Sequence, residues 1–276
     1  MALVLDGSLA AASIRLQIAE EVKAHVAKGH RAPGLVAILV GEDGASQTYV
    51  GAKKTACDEV GFAGDVRRFP ATISEAELLE EIEKINRDET IDGLIVQLPL
   101  PKHISEEKVT QAILPGKDVD GFHDINMGKL AKGDEAGVKP ATPYGITLLM
   151  KHYGIDASGK HVVVVGRSNI VGRPMSMLLS AAAPYGNATV TLCHSRTKDL
   201  ASFTRMADIL VVALGKPGFV TADMVKDGAV ILQRLVARLQ LGHGHGAYPL
   251  VQITRLRHHL TAPVYHGSGA SIGGPQ

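Results

Sequence analysis

Apolar positions in the first third of the chain alternate between helical and strand-like spacing. Ile14, Ile18 and Val22 recur every four residues, which predicts an amphipathic helix over 8–28. A short apolar run rich in β-branched residues follows at 35–41 and predicts a buried strand. The same alternation then predicts helices at 45–60 and 74–86 and strands at 64–69 and 92–98. Because strands and helices alternate, the pattern favours a parallel sheet covered on both faces.

The second half of the chain repeats this alternation after a loop-rich stretch. Residues 115–145 are rich in Gly, Pro and polar residues, and we place the passage between two domains there. Beyond it we predict helices at 143–153, 170–183 and 197–206 and strands at 161–166, 188–193, 208–213 and 228–232. A series of this kind is typical of a Rossmann-type nucleotide-binding domain. The prediction is an α/β protein with an N-terminal domain over 1–142 and a Rossmann-type domain over 143–276.

Length and composition fit this architecture and exclude several classes of protein. The chain has 276 residues, 45% hydrophobic and 21% charged, which suits two globular domains. The net charge is +1 and aromatic residues make up 4%, so nucleic acid is not expected as a partner. No apolar run approaches the roughly 20 residues that span a membrane, and the first residues do not predict a secretory signal. Cys57 and Cys193 are the two cysteines, which suits reduced thiols in the cytoplasm.

The strongest local signal in the second half is a run of four valines that ends in a glycine turn, HVVVVGRSNIVGRP. Gly166 ends the predicted strand, and Gly172 falls within the next predicted helix. A strand, a tight turn and a helix N-terminus together offer free backbone N–H groups and a positive dipole end, which suit a pyrophosphate. The spacing departs from the usual G-x-G-x-x-G because Ser168 stands where the second glycine would be. The alternative is a strand-to-helix turn that binds no ligand.

The end of the following strand indicates which dinucleotide would bind. An NAD site usually places an acid there to hold the ribose 2′-hydroxyl, and none occurs between residues 185 and 198. Ser195 and Arg196 occupy this position, and Arg167 lies in the glycine turn. Since cations and a hydroxyl favour a 2′-phosphate, we predict NADP as the cofactor. A solvated loop with incidental arginines is the alternative.

Polar residues of the first half could form a second site. Tyr49 and Lys53 lie four apart on a predicted helix, so they share a face and could hydrogen-bond, and such a lysine can transfer protons. Exposed pairs of this kind are also common. Gln97 interrupts an apolar strand near its carboxyl end, where α/β sheets gather ligand-binding groups, although a buried amide can be purely structural. Asp118 and Asp120 could bind a polar ring, bind a metal or cap a turn, and without a third ligand we predict no metal.

Five segments in a fixed order carry a family resemblance. They are YVGAK at 49–53, VQLPLP at 96–101, PGKDVDGFH at 115–123, KPATPYG at 139–145 and VVGRSNIVGRP at 164–174. With them the sequence closely resembles the bifunctional methylenetetrahydrofolate dehydrogenase/methenyltetrahydrofolate cyclohydrolase family over residues 1 to about 232. The resemblance implies a homodimer that binds folate between its two domains. It also implies oxidation of 5,10-methylenetetrahydrofolate by NADP⁺, followed by hydrolysis of the methenyl product to 10-formyltetrahydrofolate.

The resemblance assigns roles residue by residue. Lys53 would activate water and assist proton transfer, Tyr49 would position Lys53 and shield the one-carbon unit, and Gln97 would hydrogen-bond Lys53. Asp120 would hold the pterin ring of the substrate. The residues implied at the cofactor are Gly166, Arg167, Ser168 and Ser195, to which the charge argument adds Arg196.

Residues 233–276 depart from the family pattern. They contain no Asp, Glu or Lys but hold four Arg, five His and seven Gly, and a shifted reading frame would explain this composition. The acidic turn, the Gly/Pro-rich lid, the final strand pair and the last helix of the family are not recognisable there. The tail therefore predicts an open cofactor cleft and impaired activity. Two alternatives stay open, an NADP dehydrogenase of shikimate-dehydrogenase type and a ligand-binding family member without turnover.

Overall fold

Two mainly parallel β-sheets with helices packed against them organise the chain, which confirms the predicted α/β class. The computed structural model describes residues 3–216, 218–234 and 251–255. The strands are β1 (Leu3–Leu5), β2 (Gly34–Val40), β3 (Ala63–Phe69), β4 (Gly93–Val96), β5 (His161–Val165), β6 (Thr189–Cys193), β7 (Ile209–Val212), β8 (Val230–Arg234) and β9 (Val251–Arg255). The helices are α1 (Gly7–Ala27), α2 (Gly44–Val60), α3 (Glu75–Arg87), α4 (Glu106–Ala112), α5 (Asp124–Lys132), α6 (Ala141–His152), α7 (Gly172–Ser180) and α8 (Leu200–Thr204). Among these helices, none is long and apolar enough to cross a membrane.

The first sheet is parallel throughout and has the strand order β3-β2-β4. Successive side chains of its central strand β2 enter two different apolar layers. Ile38 packs with Leu78 and Ile82 of α3, whereas Leu39 packs with Val50 of α2. Because helices cover both faces, β2 is a continuous apolar run rather than an alternating one.

Two helix ends behave as their sequences predict. Ser74 caps α3, and Glu77 completes a capping box by accepting a hydrogen bond from the Ser74 backbone N–H. Gly61 ends α2 in the left-handed region with φ of 82°, which suits a residue without a side chain. These local signals determine where the helices beside the first sheet begin and end.

The second sheet has the strand order β1-β9-β8-β7-β5-β6. The strands β5 to β8 run parallel, while β9 lies antiparallel between β8 and β1. The four valines at 162–165 are at most 2% exposed, and α6 and α7 contribute Leu149, Met175 and Leu179 to the layer on one face. The carboxyl ends of β5, β6 and β7 therefore meet at one edge of a well-packed sheet.

Among the strands and α-helices of the described residues, the sequence did not predict β1, α4, α5 and β9. The stretch 115–145, predicted as loop-rich, contains α5, which begins where the Ile125 N–H donates to His123 Nδ1 and ends at Gly133 with φ of 69°. These two caps stabilise a short helix that the loop-rich composition did not predict. Helix α7 is also shorter than predicted and ends at Ser180.

Strand β9 corrects one expectation about the tail. The sequence predicts that no final strand pair forms after residue 232, yet residues 251–255 pair with both β8 and β1. These pairings satisfy backbone groups that would otherwise remain open at the edges of β8 and β1. Strand β1 thus joins the second sheet although it precedes the first helix. The predicted absence of a lid and of a last helix concerns residues outside the described ranges. The domain boundary near residue 142 stays a prediction.

Candidate active site

Lys53 and Gln97 meet where α2 passes the carboxyl end of β4. The Lys53 Nζ donates to Gln97 Oε1 at 3.3 Å, and both side chains are half-buried. Gln97 Nε2 in turn donates to the Leu98 carbonyl oxygen at 2.7 Å. The Gln97 backbone N–H donates to Ile38, so the residue stays in register with β2 after β4 has ended. Because the side-chain amide of Gln97 donates its Nε2–H to Leu98, its oxygen Oε1 is directed at Lys53.

Tyr49 lies one helical turn before Lys53 on α2 and is half-buried. The two side chains share a face, as their spacing predicts. The hydrogen bond considered between them is not formed in the described structure, where Lys53 donates to Gln97 instead. The lysine stem is long enough to cross from the helix to the end of β4, so the helix face alone did not determine the partner.

Asp118 is a structural residue of the loop between α4 and α5. It is 2% exposed, and its carboxylate accepts hydrogen bonds from the backbone N–H groups of Gly121 and His123 and from Asn126 Nδ2, at 3.1, 2.8 and 3.0 Å. Of the three roles considered for this acid, the geometry matches the capped turn. A carboxylate with three donors already engaged is poorly placed to take a ligand as well.

Asp120, two residues later, has the opposite character. The described residues give its carboxylate no hydrogen bond, and only its backbone carbonyl is engaged, by the Ala141 N–H at 3.2 Å. Burial raises the pKa of the Asp120 carboxyl, and the nearby negative charge of Asp118 raises this pKa further. The positive charge of Lys53 lowers it, but burial has the larger effect. Among the described residues, no donor therefore engages the Asp120 carboxylate, and the charge of Lys53 acts on it.

The glycine turn after β5 brings backbone segments unusually close together. Gly166 has φ of 117°, and a Cβ there would lie 2.7 Å from the Ala213 carbonyl oxygen. A Cβ on Gly172 would lie 1.9 Å from the Gly166 carbonyl oxygen. Only glycine fits at both positions, which makes the start of α7 a bare backbone cradle of the kind that admits a pyrophosphate.

Ser168 has a role in this turn that its sequence position did not reveal. Its hydroxyl accepts hydrogen bonds from the backbone N–H groups of Val171 and Gly172, at 3.2 and 3.4 Å. The Arg173 N–H donates to the Ser168 carbonyl oxygen at 3.0 Å. The residue that replaces the second fingerprint glycine thus closes the turn that leads into α7, and its side chain is exposed there.

The predicted 2′-phosphate residues lie on neighbouring turns at the same sheet edge. Val165 and Cys193 are in register in β5 and β6, so the segments after them leave the sheet side by side. Arg167, Ser195 and Arg196 are all exposed there. A tight turn, closed by reciprocal hydrogen bonds between residues 194 and 197, holds Ser195 and Arg196 outward. A bare cradle beside two cations fits NADP in both shape and charge.

Comparison with protein families matches the two parts of the chain to two domains of one family. The tetrahydrofolate dehydrogenase/cyclohydrolase catalytic domain matches residues 5–120, and the NAD(P)-binding domain of the same family matches residues 140–269. Among curated relatives, the bifunctional protein FolD of Cytophaga hutchinsonii is 53% identical over 236 residues, covering 86% of this chain and 81% of that protein. The bifunctional protein FolD of Bacillus cytotoxicus is 46% identical over 269 residues, covering 98% and 92%.

Solved structures give the same result. The bifunctional FolD dehydrogenase/cyclohydrolase of Campylobacter jejuni matches with a TM-score of 0.79 at 43% identity, covering 84% of this chain and 82% of that chain. The Trypanosoma brucei dehydrogenase-cyclohydrolase, solved with NADP cofactor and an inhibitor, has a TM-score of 0.79 at 33% identity, covering 91% and 84%. The recognised sequence motifs support the family resemblance only to about residue 232. The NAD(P)-binding domain match and the Bacillus relative extend the similarity beyond that residue. The chain belongs to the tetrahydrofolate dehydrogenase/cyclohydrolase family.

Proposed function

We propose that the chain oxidises 5,10-methylenetetrahydrofolate with NADP⁺ and then hydrolyses the methenyl product to 10-formyltetrahydrofolate. Family membership and the bifunctional relatives support both activities. Within the molecule, the observation that carries the proposal is the Lys53–Gln97 hydrogen bond, and the Lys53 charge that acts on the Asp120 carboxylate supports it. A shikimate-dehydrogenase type is set aside because both domains match the folate family.

Asp120 is the group we assign to the folate ring. A half-buried carboxylate without a hydrogen bond from the described residues is a strong acceptor for the N–H groups of a pterin. Such a contact would place the one-carbon bridge of the substrate beside Lys53, whose charge already acts on Asp120. An acceptor and an amine that act on one another support a folate as the substrate.

Lys53 is the group we assign to proton transfer in the hydrolysis. Water adds to the cationic methenyl carbon and loses a proton, and only the deprotonated form of Lys53 has the lone pair to accept it. The bond between the one-carbon unit and the departing nitrogen then breaks, the nitrogen takes the proton from Lys53, and the hydroxyl on the one-carbon unit loses its proton as the formyl C=O forms. In all, one water is consumed and one proton is released. Gln97 Oε1 holds one Lys53 N–H during these steps, and the Leu98 carbonyl keeps the amide from rotating. Tyr49 lies on the same helix face and would shield the one-carbon unit from bulk water.

The residues that would hold NADP are those of the second sheet edge. Bound NADP⁺ supplies the acceptor for the hydride that leaves the methylene carbon. Gly166 and Ser168 would cradle the pyrophosphate with backbone and hydroxyl groups, and Arg167, Ser195 and Arg196 would bind the 2′-phosphate. The dinucleotide would thus be bound through the second domain and the folate through the first.

Lys53→Met tests this assignment of the two sites. We expect the variant to lose hydrolysis of methenyltetrahydrofolate, followed by the fall of methenyl absorbance, while its NADP⁺ dissociation constant stays unchanged. Lys54→Met is the matched control because Lys54 is the next residue of α2 and pairs with Asp58 on the surface. Hydrolysis by Lys53→Met at the rate of Lys54→Met would contradict the role of Lys53.

We also infer that the chain works as a homodimer in the cytoplasm. The family resemblance suggests association through the nucleotide-binding domains, and both Cys57 and Cys193 are free and buried, as suits a reducing compartment. Sedimentation equilibrium tests the dimer, and a monomer at micromolar concentration would contradict it.

A further inference from the structure

A buried network around Asn126 joins three segments of the first domain. Asn126 lies in the first turn of α5 and is 2% exposed. Its Nδ2 donates to the Pro115 carbonyl oxygen at 2.8 Å and to Asp118 Oδ2 at 3.0 Å. Its Oδ1 accepts from the Val138 N–H at 3.2 Å. One amide therefore ties the loop after α4, the helix α5 and the segment that leads into α6.

The network continues to the peptide group that joins Asp120 to Gly121. Asp118, held by Asn126, accepts from the Gly121 N–H at 3.1 Å. Gly121 has φ of 71°, and a Cβ there would lie 2.7 Å from the Pro140 backbone nitrogen. The first residue of α6, Ala141, donates its N–H to the Asp120 carbonyl oxygen at 3.2 Å. Asp120 is thus held between the Asp118 turn and the N-terminus of α6.

We propose that Asn126 and Asp118 are the positioning pair that aims the Asp120 carboxylate at the folate ring. The inference rests on the proposed function, in which Asp120 accepts from the pterin. The Asp120 side chain has no hydrogen bond of its own in the described structure, so its direction depends on its backbone. That backbone is held by the buried Asp118 carboxylate, which accepts three hydrogen bonds. One of the three comes from Asn126 and is lost when Asn126 is replaced. Buried networks of this kind lose their geometry when one member is left unpaired.

Asn126→Ala tests the pair against a matched control. Asn86 is also a buried amide, 9% exposed, that bridges two backbone groups, the Ala112 carbonyl and the Leu114 N–H, at 2.8 and 3.1 Å. We expect Asn126→Ala and Asn86→Ala to lower the melting temperature alike. Only Asn126→Ala should raise the dissociation constant of tetrahydrofolate, measured by titration calorimetry, by about tenfold, which is about 1.4 kcal/mol. The NADP⁺ dissociation constant should stay within about twofold in both.

A double-variant cycle shows whether Asn126 acts through Asp120. Asp120→Ala should weaken tetrahydrofolate binding, and adding Asn126→Ala to it should weaken binding no further. Additive losses would overturn the positioning role, as would unchanged binding by Asn126→Ala. Where Asn126→Ala does not fold, Asp118→Asn keeps the side-chain volume and one acceptor oxygen, and it should show the same selective loss. Unchanged binding by Asp120→Ala, or no binding by the unmodified chain, would instead refute the proposed function, and the inference with it.

Discussion

Gly172→Ala is the sharpest perturbation of the cofactor turn. The added Cβ would lie 1.9 Å from the Gly166 carbonyl oxygen, 2.5 Å from its carbonyl carbon and 2.9 Å from the Arg167 Cα. All three are backbone atoms, so no side-chain rotation can relieve the contact. To reach an ordinary contact of about 3.5 Å, the two backbone segments must separate by about 1.5 Å.

The size of that shift determines the expected loss. Overpacking in a close-packed region costs about 1–3 kcal/mol of unfolding free energy. Misplacement of a binding group by about 1 Å can cost about 100-fold in rate, and we expect a loss of about that size in NADP⁺ affinity. The helix N–H groups of α7 would move away from Gly166, which opens the cradle on the side where the pyrophosphate would lie.

Titration calorimetry with NADP⁺ and thermal unfolding measure the two effects separately. Gly186→Ala is matched for the clash, because its Cβ would lie 2.2 Å from the Ala181 carbonyl oxygen, outside the cofactor turn. Gly128→Ala in α5 meets no atom within 4 Å and should gain up to about 1 kcal/mol of helix stability. NADP⁺ binding by Gly172→Ala as strong as that of Gly186→Ala would refute the assignment of the turn.

Three further predictions concern charge, pH and the tail. Arg167→Ala combined with Arg196→Ala should weaken NADP⁺ more than NAD⁺ in the same calorimetric assay, whereas equal losses would reassign these arginines. The Arg31 guanidinium lowers the pKa of Asp92 to about 2, so the stabilisation by this pair should be complete above about pH 4 and lost as pH falls through about 2. Asp92→Asn should therefore cost up to about 1 kcal/mol in urea unfolding at neutral pH and progressively less in acid, and a constant difference would contradict this. Replacing the residues after 232 with a family-like C-terminus should raise turnover, and equal rates for both chains would show that the tail is compatible with activity.

Local sequence carried the identities of most elements and of the candidate residues. The valine run before Gly166, the capping box at Ser74 and the apolar run of β2 each depend on neighbours in the chain. The preference for NADP was likewise inferred from the order of residues alone, because no acid directly follows β6. The sequence did not predict short helices such as α5, because their few apolar positions show too little periodicity to distinguish a helix from a loop.

Distant contacts decided which of two similar residues does what. Asp118 and Asp120 are equivalent in sequence, but donors from Gly121, His123 and Asn126 saturate the first and leave the second open. Lys53 could have bonded Tyr49 on its own helix, yet it donates to Gln97, 44 residues away. Sequence spacing specifies which side chains share a face, because helix and strand periods are local. Which of them meet depends on how separate elements pack, and only the tertiary structure brings those elements together.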